Sequence, residues 1–211
     1  ETFMQRARLM AETYQMKVVG INSNIHLILD ENYLSVAGFR LPGAVLALQG
    51  LFRIFLHSSG FSFSQFRIDE ADSSCYELLL MSCFETDSTT FYSAGSEVPR
   101  IKKMEELADY PPAWKFLHTC IHPQDGNCGK CAKCQWMLAE LYAFGKLDNF
   151  KDIVDIEYFL QNKDLYIKKL AVKTDPFAEE AYEMLLEKGL VPQDIQRLSK
   201  VVKAGKKVYN A

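Results

Sequence analysis

The chain has 211 residues, of which 48% are apolar, 24% are charged and 12% are aromatic. This composition predicts a folded protein with a sizeable core and argues against intrinsic disorder. Its 24 basic and 27 acidic residues give a formal net charge of -3, which argues against the coating of nucleic acid as a main role. Because no apolar run approaches the roughly 20 residues of a membrane span and no secretory signal opens the chain, we expect a cytoplasmic protein without membrane contact.

The first third of the chain alternates predicted helices with predicted strands. Apolar residues at spacings of three and four predict a helix over 1–13, and short apolar runs predict strands over 17–21 and 53–56. A helix over 44–48 is expected to begin at Pro42. This order of elements is typical of a parallel α/β sheet.

Polar residues follow each of the two predicted strands. Asn24 comes after the first strand, and Ser58 and Ser59 come after the second. In parallel sheets ligands bind outside the carboxyl ends of the strands, so these residues are candidates for a binding pocket. The alternative is that they are ordinary loop residues.

The second half of the chain reads as helical. Caps, prolines and apolar spacing predict a series of helices after the middle of the sequence. The expected helices are 100–108, 135–144, 152–170, one from Pro176 that ends at Gly189 and one from Pro192 that ends at Gly205.

Four of the six cysteines lie close together in sequence. Cys120, Cys128, Cys131 and Cys134 are separated by seven, two and two residues. Zinc takes four ligands in a tetrahedron, with sulfur at about 2.3 Å, and a Cys-x-x-Cys pair supplies two thiolates from one turn. Four protein ligands leave no open position, so the spacing predicts a structural Zn²⁺ site. An iron–sulfur cluster and redox-active or unliganded thiols are the alternatives.

Residues around the cysteines fit such a site. Gly126, Asn127 and Gly129 are expected to give the turn the backbone freedom that it needs. His118 and His122 flank Cys120 and offer imidazole ligands. Because the four thiols already complete a tetrahedral set, we expect both histidines to lie at the surface or behind the ligands.

The segment 120–150 resembles the zinc knuckle of 7-cyano-7-deazaguanine synthase-like proteins. The resemblance rests on Asn-Cys-Gly-Lys-Cys-Ala-Lys-Cys at 127–134 and Ala-Phe-Gly-Lys-Leu at 143–147. These proteins belong to the adenine nucleotide alpha hydrolase-like superfamily, also called the N-type ATP pyrophosphatases or PP-loop superfamily. The resemblance is looser upstream. There, residues 96–100 lead into a predicted helix, and Arg100 resembles the basic residue that opens a helix near the phosphates in this family.

The resemblance implies a fold class and three regions. The fold implied is an α/β, HUP or Rossmann-like parallel-sheet domain that is incomplete at its amino terminus, with a four-cysteine zinc knuckle and an all-helical tail. The partial α/β domain covers 1–118, the knuckle and its following helix cover 119–150, and the helical region covers 151–211.

The resemblance also implies an activity. In this family ATP, with Mg²⁺, activates a small-molecule carboxylate by adenylation, and an amine or ammonia then attacks the acyl-adenylate. Arg100 and Lys103 would neutralise phosphate charge, while Asn24, Ser58 and Ser59 would face the nucleotide or the acyl substrate. Taken without the family, Arg100 and Lys103 fit a solvated helix face. No residue is assigned as catalytic.

One motif of the family is missing from the sequence. The Ser-Gly-Gly-x-Asp-Ser loop that cradles pyrophosphate does not occur in the 211 residues. We therefore expect the loop and the first strands to lie upstream of Glu1, in about 50 to 100 further residues.

A second hypothesis is a non-catalytic, zinc-stabilised scaffold that binds a protein or an RNA. It rests on a basic stripe at near-helical spacing close to the carboxyl end. The stripe consists of Arg197, Lys200, Lys203, Lys206 and Lys207. Such stripes are more often solubilising than nucleic-acid binding. A homodimer is a further partner arrangement that the sequence leaves open.

Overall fold

The computed structural model describes residues 2–122 and 126–209. The chain divides into two compact units. The sheet unit is Val19–Arg100, and the helical unit combines Glu1–Val18 with Ile101–Ala211. Both boundaries expected from the sequence, after residues 118 and 150, lie inside the helical unit.

Helices dominate the described residues, and none of these helices has the length and apolar character that crossing a bilayer requires. The strands are β1 (Ile54–Ser58) and β2 (Thr90–Ala94). The helices are α1 (Thr2–Thr13), α2 (Ile25–Leu29), α3 (Tyr33–Ala47), α4 (Glu77–Phe84), α5 (Arg100–Ala108), α6 (Pro111–Phe116), α7 (Ala132–Phe144), α8 (Ile156–Val172), α9 (Pro176–Glu187) and α10 (Gln193–Tyr209). Short 3-10 helices cover Gln49–Leu51, Phe63–Gln65, Ser73–Tyr76 and Leu147–Phe150.

The sheet unit contains two parallel strands. Ile54 of β1 lies opposite Thr90 of β2, and Ser58 lies opposite Ala94. The helix α4 packs against β2 and α3, and the small core between them consists of Val45, Leu80, Met81 and Phe91. A mixed α/β structure with a parallel sheet is therefore confirmed. Two strands do not define a HUP or Rossmann topology, so that finer expectation stays a prediction.

The strand predicted over 17–21 does not form. These residues are exposed and carry no ladder hydrogen bonds, although Val18, Val19 and Ile21 favour extended structure. A strand becomes stable only when a neighbour pairs with its backbone, and the described part of the chain supplies none here. The prediction was wrong because pairing depends on the fold and not on the segment.

Pro42 lies inside a helix instead of opening one. The helix α3 begins nine residues earlier, at Tyr33, and the side chain of its N-cap Asn32 accepts a hydrogen bond from the backbone amide of Leu34 at 2.9 Å. Pro42 is buried along with Gly38 and Val45 of the same helix. The free energy gained by burying this face of α3 offsets the loss of the backbone hydrogen bond that proline cannot donate.

Gly38 marks a close contact between α3 and its neighbours. A Cβ atom at this position would lie 2.6 Å from Leu80 Cδ1 and 3.0 Å from the carbonyl oxygen of Ser73. We therefore expect Gly38→Ala to lower the free energy of unfolding by about 1–3 kcal/mol, although alanine favours helices. Gly43→Ala is the matched control, because nothing lies within 4 Å of its Cβ position. Urea unfolding compares the two, and equal stabilities would contradict the packing described here.

The helix α7 forms the centre of the helical unit. Every residue from Cys134 to Leu141 is buried, so α7 is covered on all sides. It packs against α8 and α9, and α10 packs against α8. The predicted start of α9 at Pro176 is confirmed, and the Asp175 side chain before it accepts hydrogen bonds from the Phe177 and Ala178 amides. Gly189, just beyond the end of α9, has a left-handed φ of 69°.

Gly205 does not end the last helix. The helix α10 continues through it to Tyr209. A glycine inside a helix costs only about 1 kcal/mol, and it ends a helix only where the chain turns into the left-handed region. The side chains of Lys206 and Lys207, the last two members of the predicted basic stripe, lie outside the described residues.

Candidate metal centre

The structure brings the four predicted cysteines together. The sulfur atoms of Cys120, Cys128, Cys131 and Cys134 all lie within 4.8 Å of one another. The Cys128 and Cys134 sulfurs are 3.9 Å apart, and those of Cys120 and Cys131 are 4.0 Å apart. Four sulfurs at about 2.3 Å from one central atom would be separated by about 3.8 Å, so this group fits a single tetrahedral metal ion.

Three adjoining segments position these thiols. Cys120 lies in the loop after α6, Cys128 lies in the turn before α7, and Cys131 and Cys134 lie at the amino terminus of α7. The turn depends on two glycines with left-handed φ angles, 83° at Gly126 and 70° at Gly129. The amino terminus of a helix carries partial positive charge, which favours thiolates at this position.

Backbone amides also point at the sulfurs. The amides of Lys130 and Cys131 donate to Cys128 Sγ at 3.3 and 3.2 Å, and the amide of His122 donates to Cys120 Sγ at 3.4 Å. Such bonds stabilise the thiolate form, which is the form that binds a metal. The surroundings of the four sulfurs therefore suit metal ligands.

Burial opposes ionisation of two of these thiols. Burial raises the pKa of Cys134 well above its ordinary value and raises the pKa of Cys128 to a smaller extent. At Cys131 burial acts in the same direction, but hydrogen bonds from the backbone amides of Ile121 and Cys134 and from the thiols of Cys134 and Cys128 together outweigh it and lower the pKa to about 7. Without a metal, Cys128 and Cys134 are therefore protonated near neutral pH.

Metal binding must release these protons. We expect the apparent affinity for Zn²⁺ to fall by about tenfold per pH unit, for each proton displaced, as the pH is lowered. Competition with a chromophoric chelator at pH 6, 7 and 8, corrected for the chelator's own protonation, measures this slope. An affinity that does not change with pH would contradict binding through the thiolates.

Asn127 has a role that the sequence did not indicate. Its side chain is buried and its Oδ1 accepts hydrogen bonds from the amides of Thr119 and Cys120 at 2.8 and 3.2 Å. Its Nδ2 donates to the carbonyl oxygens of Leu117 and Ile153 at 2.9 and 3.4 Å. Asn127 therefore holds the loop that carries Cys120 against the turn that carries Cys128. Backbone freedom in this turn comes instead from the two glycines.

Tyr166 supports the same turn from α8. Its hydroxyl donates to the carbonyl oxygen of Gly129 at 2.8 Å, and burial raises the pKa of Tyr166 to about 12, so that it stays a donor. We expect Tyr166→Phe to reduce the free energy of unfolding by about 1–3 kcal/mol, because it leaves a buried carbonyl without its donor. Tyr110→Phe, at an exposed tyrosine, is the control. Thermal unfolding of both variants measures the difference, and similar melting temperatures would exclude this role.

The two flanking histidines are not part of the metal-binding group. His118 Nδ1 lies 2.6 Å from Arg6 Nη1, and its ring packs edge-on against Phe3. His122 is exposed and contributes only its backbone amide to Cys120. Both positions agree with the expectation that the cysteines complete the set.

The other predicted site residues occupy separate places. Ser58 is the exposed last residue of β1, and Ser59 is buried and donates its amide to the Ala94 carbonyl oxygen at 3.0 Å. Asn24 precedes α2 and does not follow a strand, because the strand over 17–21 is absent. Arg100 opens α5 at the end of the sheet unit, whereas Lys103 belongs to the helical unit. Their roles toward a ligand stay predictions.

Comparison of this chain with protein-family models, with curated proteins and with solved structures finds no match. The resemblance to the 7-cyano-7-deazaguanine synthase-like proteins therefore rests on the residues of this sequence.

Proposed function

We propose that the four cysteines hold one structural Zn²⁺ and that the zinc-stabilised chain is part of an ATP-dependent synthetase. The observation that carries the first part is the close grouping of the four sulfurs, which all lie within 4.8 Å of one another. With all four positions taken by thiolates, the metal has no open site for a substrate. Its role is to fix the loop of Cys120 to the amino terminus of α7, which is the central helix of the helical unit.

The geometry favours a single metal ion over a cluster of several iron atoms. Two of the sulfur separations, 3.9 and 4.0 Å, are close to the edge of a tetrahedron around one atom, and all four sulfurs lie within 4.8 Å of one another. A multinuclear cluster requires its thiolates to surround several atoms. A tetrahedral set of four thiolates suits Zn²⁺. A single iron ion in the same position is the alternative, and metal analysis separates the two.

The second part of the proposal is a ligase activity that activates a carboxylate by adenylation. It is supported by the resemblance of residues 120–150 and by polar groups at the carboxyl end of β1, where Ser58 and Ser59 lie. Arg100 follows β2 and opens α5, a position from which a cation can stabilise phosphate charge. The Ser-Gly-Gly-x-Asp-Ser loop is absent from the 211 residues, so no residue described here is assigned to the phosphate cradle or to Mg²⁺.

Pyrophosphate exchange tests this activity. The product of the complete coding sequence is incubated with MgATP, labelled pyrophosphate and a panel of small carboxylic acids. We expect label to enter ATP only with the right acid, and we expect Arg100→Ala to slow the exchange by about a hundredfold. Arg8→Ala, at an exposed arginine of α1, is the control. No exchange with any acid, together with no binding of MgATP, would overturn the synthetase proposal while leaving the zinc proposal standing.

The alternative function is a scaffold that binds RNA or protein, and the basic stripe on which it rests is partly neutralised. Lys203, in the middle of the basic stripe, forms an ion pair with Glu183 of α9 at 2.7 Å. Arg197 and Lys200 are exposed on α10. Since one of the three described cations is already paired with a carboxylate, the stripe presents less free charge to a polyanion than its sequence indicates.

A further inference from the structure

A groove lies between α3 and the segment 20–25, within the sheet unit and apart from the cysteines. It consists of two adjoining hollows of about 550 and 330 Å³, and volumes of this order are typical of small-molecule sites. The residues that line both hollows are Ile21, Ser23, Ile25, Arg40 and Ala44.

The walls of the groove are mainly apolar. The larger hollow adds Phe39 and Leu48 to the shared residues, and the smaller hollow adds Leu41. Phe39 and Leu41 are 41% and 48% exposed, so the described part of the chain leaves this apolar surface open to water. A concave apolar surface of this kind favours a ligand with an apolar body.

Arg40 gives the groove its charge. Its side chain is half-buried, and its guanidinium carbon lies 5.1 Å from the centre of the Tyr33 ring. This contact holds the guanidinium in place, and its N–H donors remain for an oxygen ligand, because Arg40 has no ion pair or side-chain hydrogen bond with any described residue. No acidic side chain is among the described residues that line either hollow. The groove therefore has a fixed positive charge and lacks the anion that would complement it.

The other polar groups of the groove are few. Ser23 Oγ accepts a hydrogen bond from the amide of Ile25 at 3.3 Å, so its own hydrogen is available to a ligand. Asn22 lines the larger hollow, and its side chain makes no hydrogen bond to a described residue. One cation and two neutral groups suit a ligand with a single polar end, whereas a nucleotide or a sugar would need more polar partners.

We propose that this groove binds a small organic monocarboxylate, with its carboxylate on Arg40 and its apolar body along Ile21, Ile25 and Ala44. A guanidinium pairs with a carboxylate through two parallel hydrogen bonds, and apolar walls strengthen this pairing by excluding water. A phosphate ester fits less well, because a single arginine leaves its second negative charge without a partner. The groove contains none of the residues assigned to the nucleotide or the acyl substrate, so this site goes beyond the synthetase proposal.

An NMR titration of the zinc-loaded full chain, with phenylbutyrate as the probe, tests this site. We expect the amide signals of Ser23 and Ala44 to shift, with a dissociation constant of about 1 mM, which is typical of a ligand with so few atoms. Phenylbutyramide has the same apolar body without the charge, and acetate has the charge without the body. Each should bind at least about tenfold more weakly than phenylbutyrate.

Substitutions locate the binding within the groove. Arg40→Gln should weaken phenylbutyrate binding at least about tenfold and leave phenylbutyramide binding within about twofold. Ala44→Leu fills space that both hollows share, so it should weaken the binding of both probes. Arg53→Gln, at an exposed arginine of the same unit that lines neither hollow, is the control and should change neither affinity.

Three results would overturn the site. They are equal binding of the acid and the amide, unchanged phenylbutyrate binding in Arg40→Gln, and no shift of these signals at about ten times the expected dissociation constant. The comparison of acid with amide uses the unchanged protein, so it decides the question even if a substitution unfolds the sheet unit.

Discussion

Replacing Cys134 by serine is expected to abolish metal binding and to cost the protein more than about 5 kcal/mol of folding free energy. Structural zinc sites bind with about 10–16 kcal/mol, and that energy is available only to the folded chain. Cys134 is fully buried at the start of α7, whose following residues form the centre of the helical unit. Loss of one ligand therefore weakens the metal site and the packing around it together.

Cys75→Ser is the matched control for this variant. Cys75 is also buried, with 2% of the residue exposed, but it lies in the sheet unit and outside the group of four. In the sheet unit, the same exchange of sulfur for oxygen is expected to lower the free energy of unfolding by only about 0.5–3 kcal/mol. Chelator added to the unchanged protein should reproduce the Cys134→Ser result. Similar losses in both variants would show that burial, and not a metal, accounts for the effect.

Replacing Asn127 by alanine is expected to be the next most damaging change. It removes five hydrogen bonds: Oδ1 accepts three, from the amides of Thr119 and Cys120 and from Thr119 Oγ1, and Nδ2 donates two, to the carbonyl oxygens of Leu117 and Ile153. Each buried group left without a partner costs about 1–3 kcal/mol, so we expect a loss of about 3–5 kcal/mol after partial relaxation. The affinity for Zn²⁺ should fall as well, because the loop of Cys120 is released.

Asn162→Ala provides the comparison for Asn127. Asn162 makes a single hydrogen bond, from Nδ2 to the Tyr158 carbonyl oxygen at 2.8 Å, and its removal should cost about 1 kcal/mol. Asn127→Asp keeps the acceptor but loses both donors and adds a negative charge beside the thiolates, so it should lower zinc affinity further. Chemical unfolding and zinc competition measure both effects. Equal losses of folding free energy for Asn127→Ala and Asn162→Ala would contradict the role of Asn127 in holding the Cys120 loop against the Cys128 turn.

The parts of the structure that the sequence predicted are those that local residues determine. The cysteines lie within 15 residues of each other, so their spacing already indicated a metal site. The cap at Asp175 acts on amides two and three positions along the chain, so a helix from Pro176 could be expected from local residues. The helix expected over 152–170 begins only at Ile156, after a cap at Asp155. The strand over 17–21 failed because its partner has to come from another part of a fold.

The most important polar contacts could not be predicted from the sequence for the same reason, since their partners come from other parts of the fold. Asn127 bonds to a loop seven to ten residues away and to Ile153, and the spacing of the cysteines gives no sign of these bonds. Likewise the carboxylate of Glu77 meets a histidine and a serine from two different strands. The segment around Leu78–Met81 could be helix or strand by its apolar pattern, and only the helix α4 brings Glu77 to these partners.

Metal content measures the central claim most directly. Purified protein, prepared without added metal, is analysed by native mass spectrometry and by elemental analysis. One zinc ion per chain, lost in Cys134→Ser and retained in Cys75→Ser, is the predicted result. Iron in place of zinc would contradict the identity of the metal, and no bound metal in a folded chain would contradict the site itself.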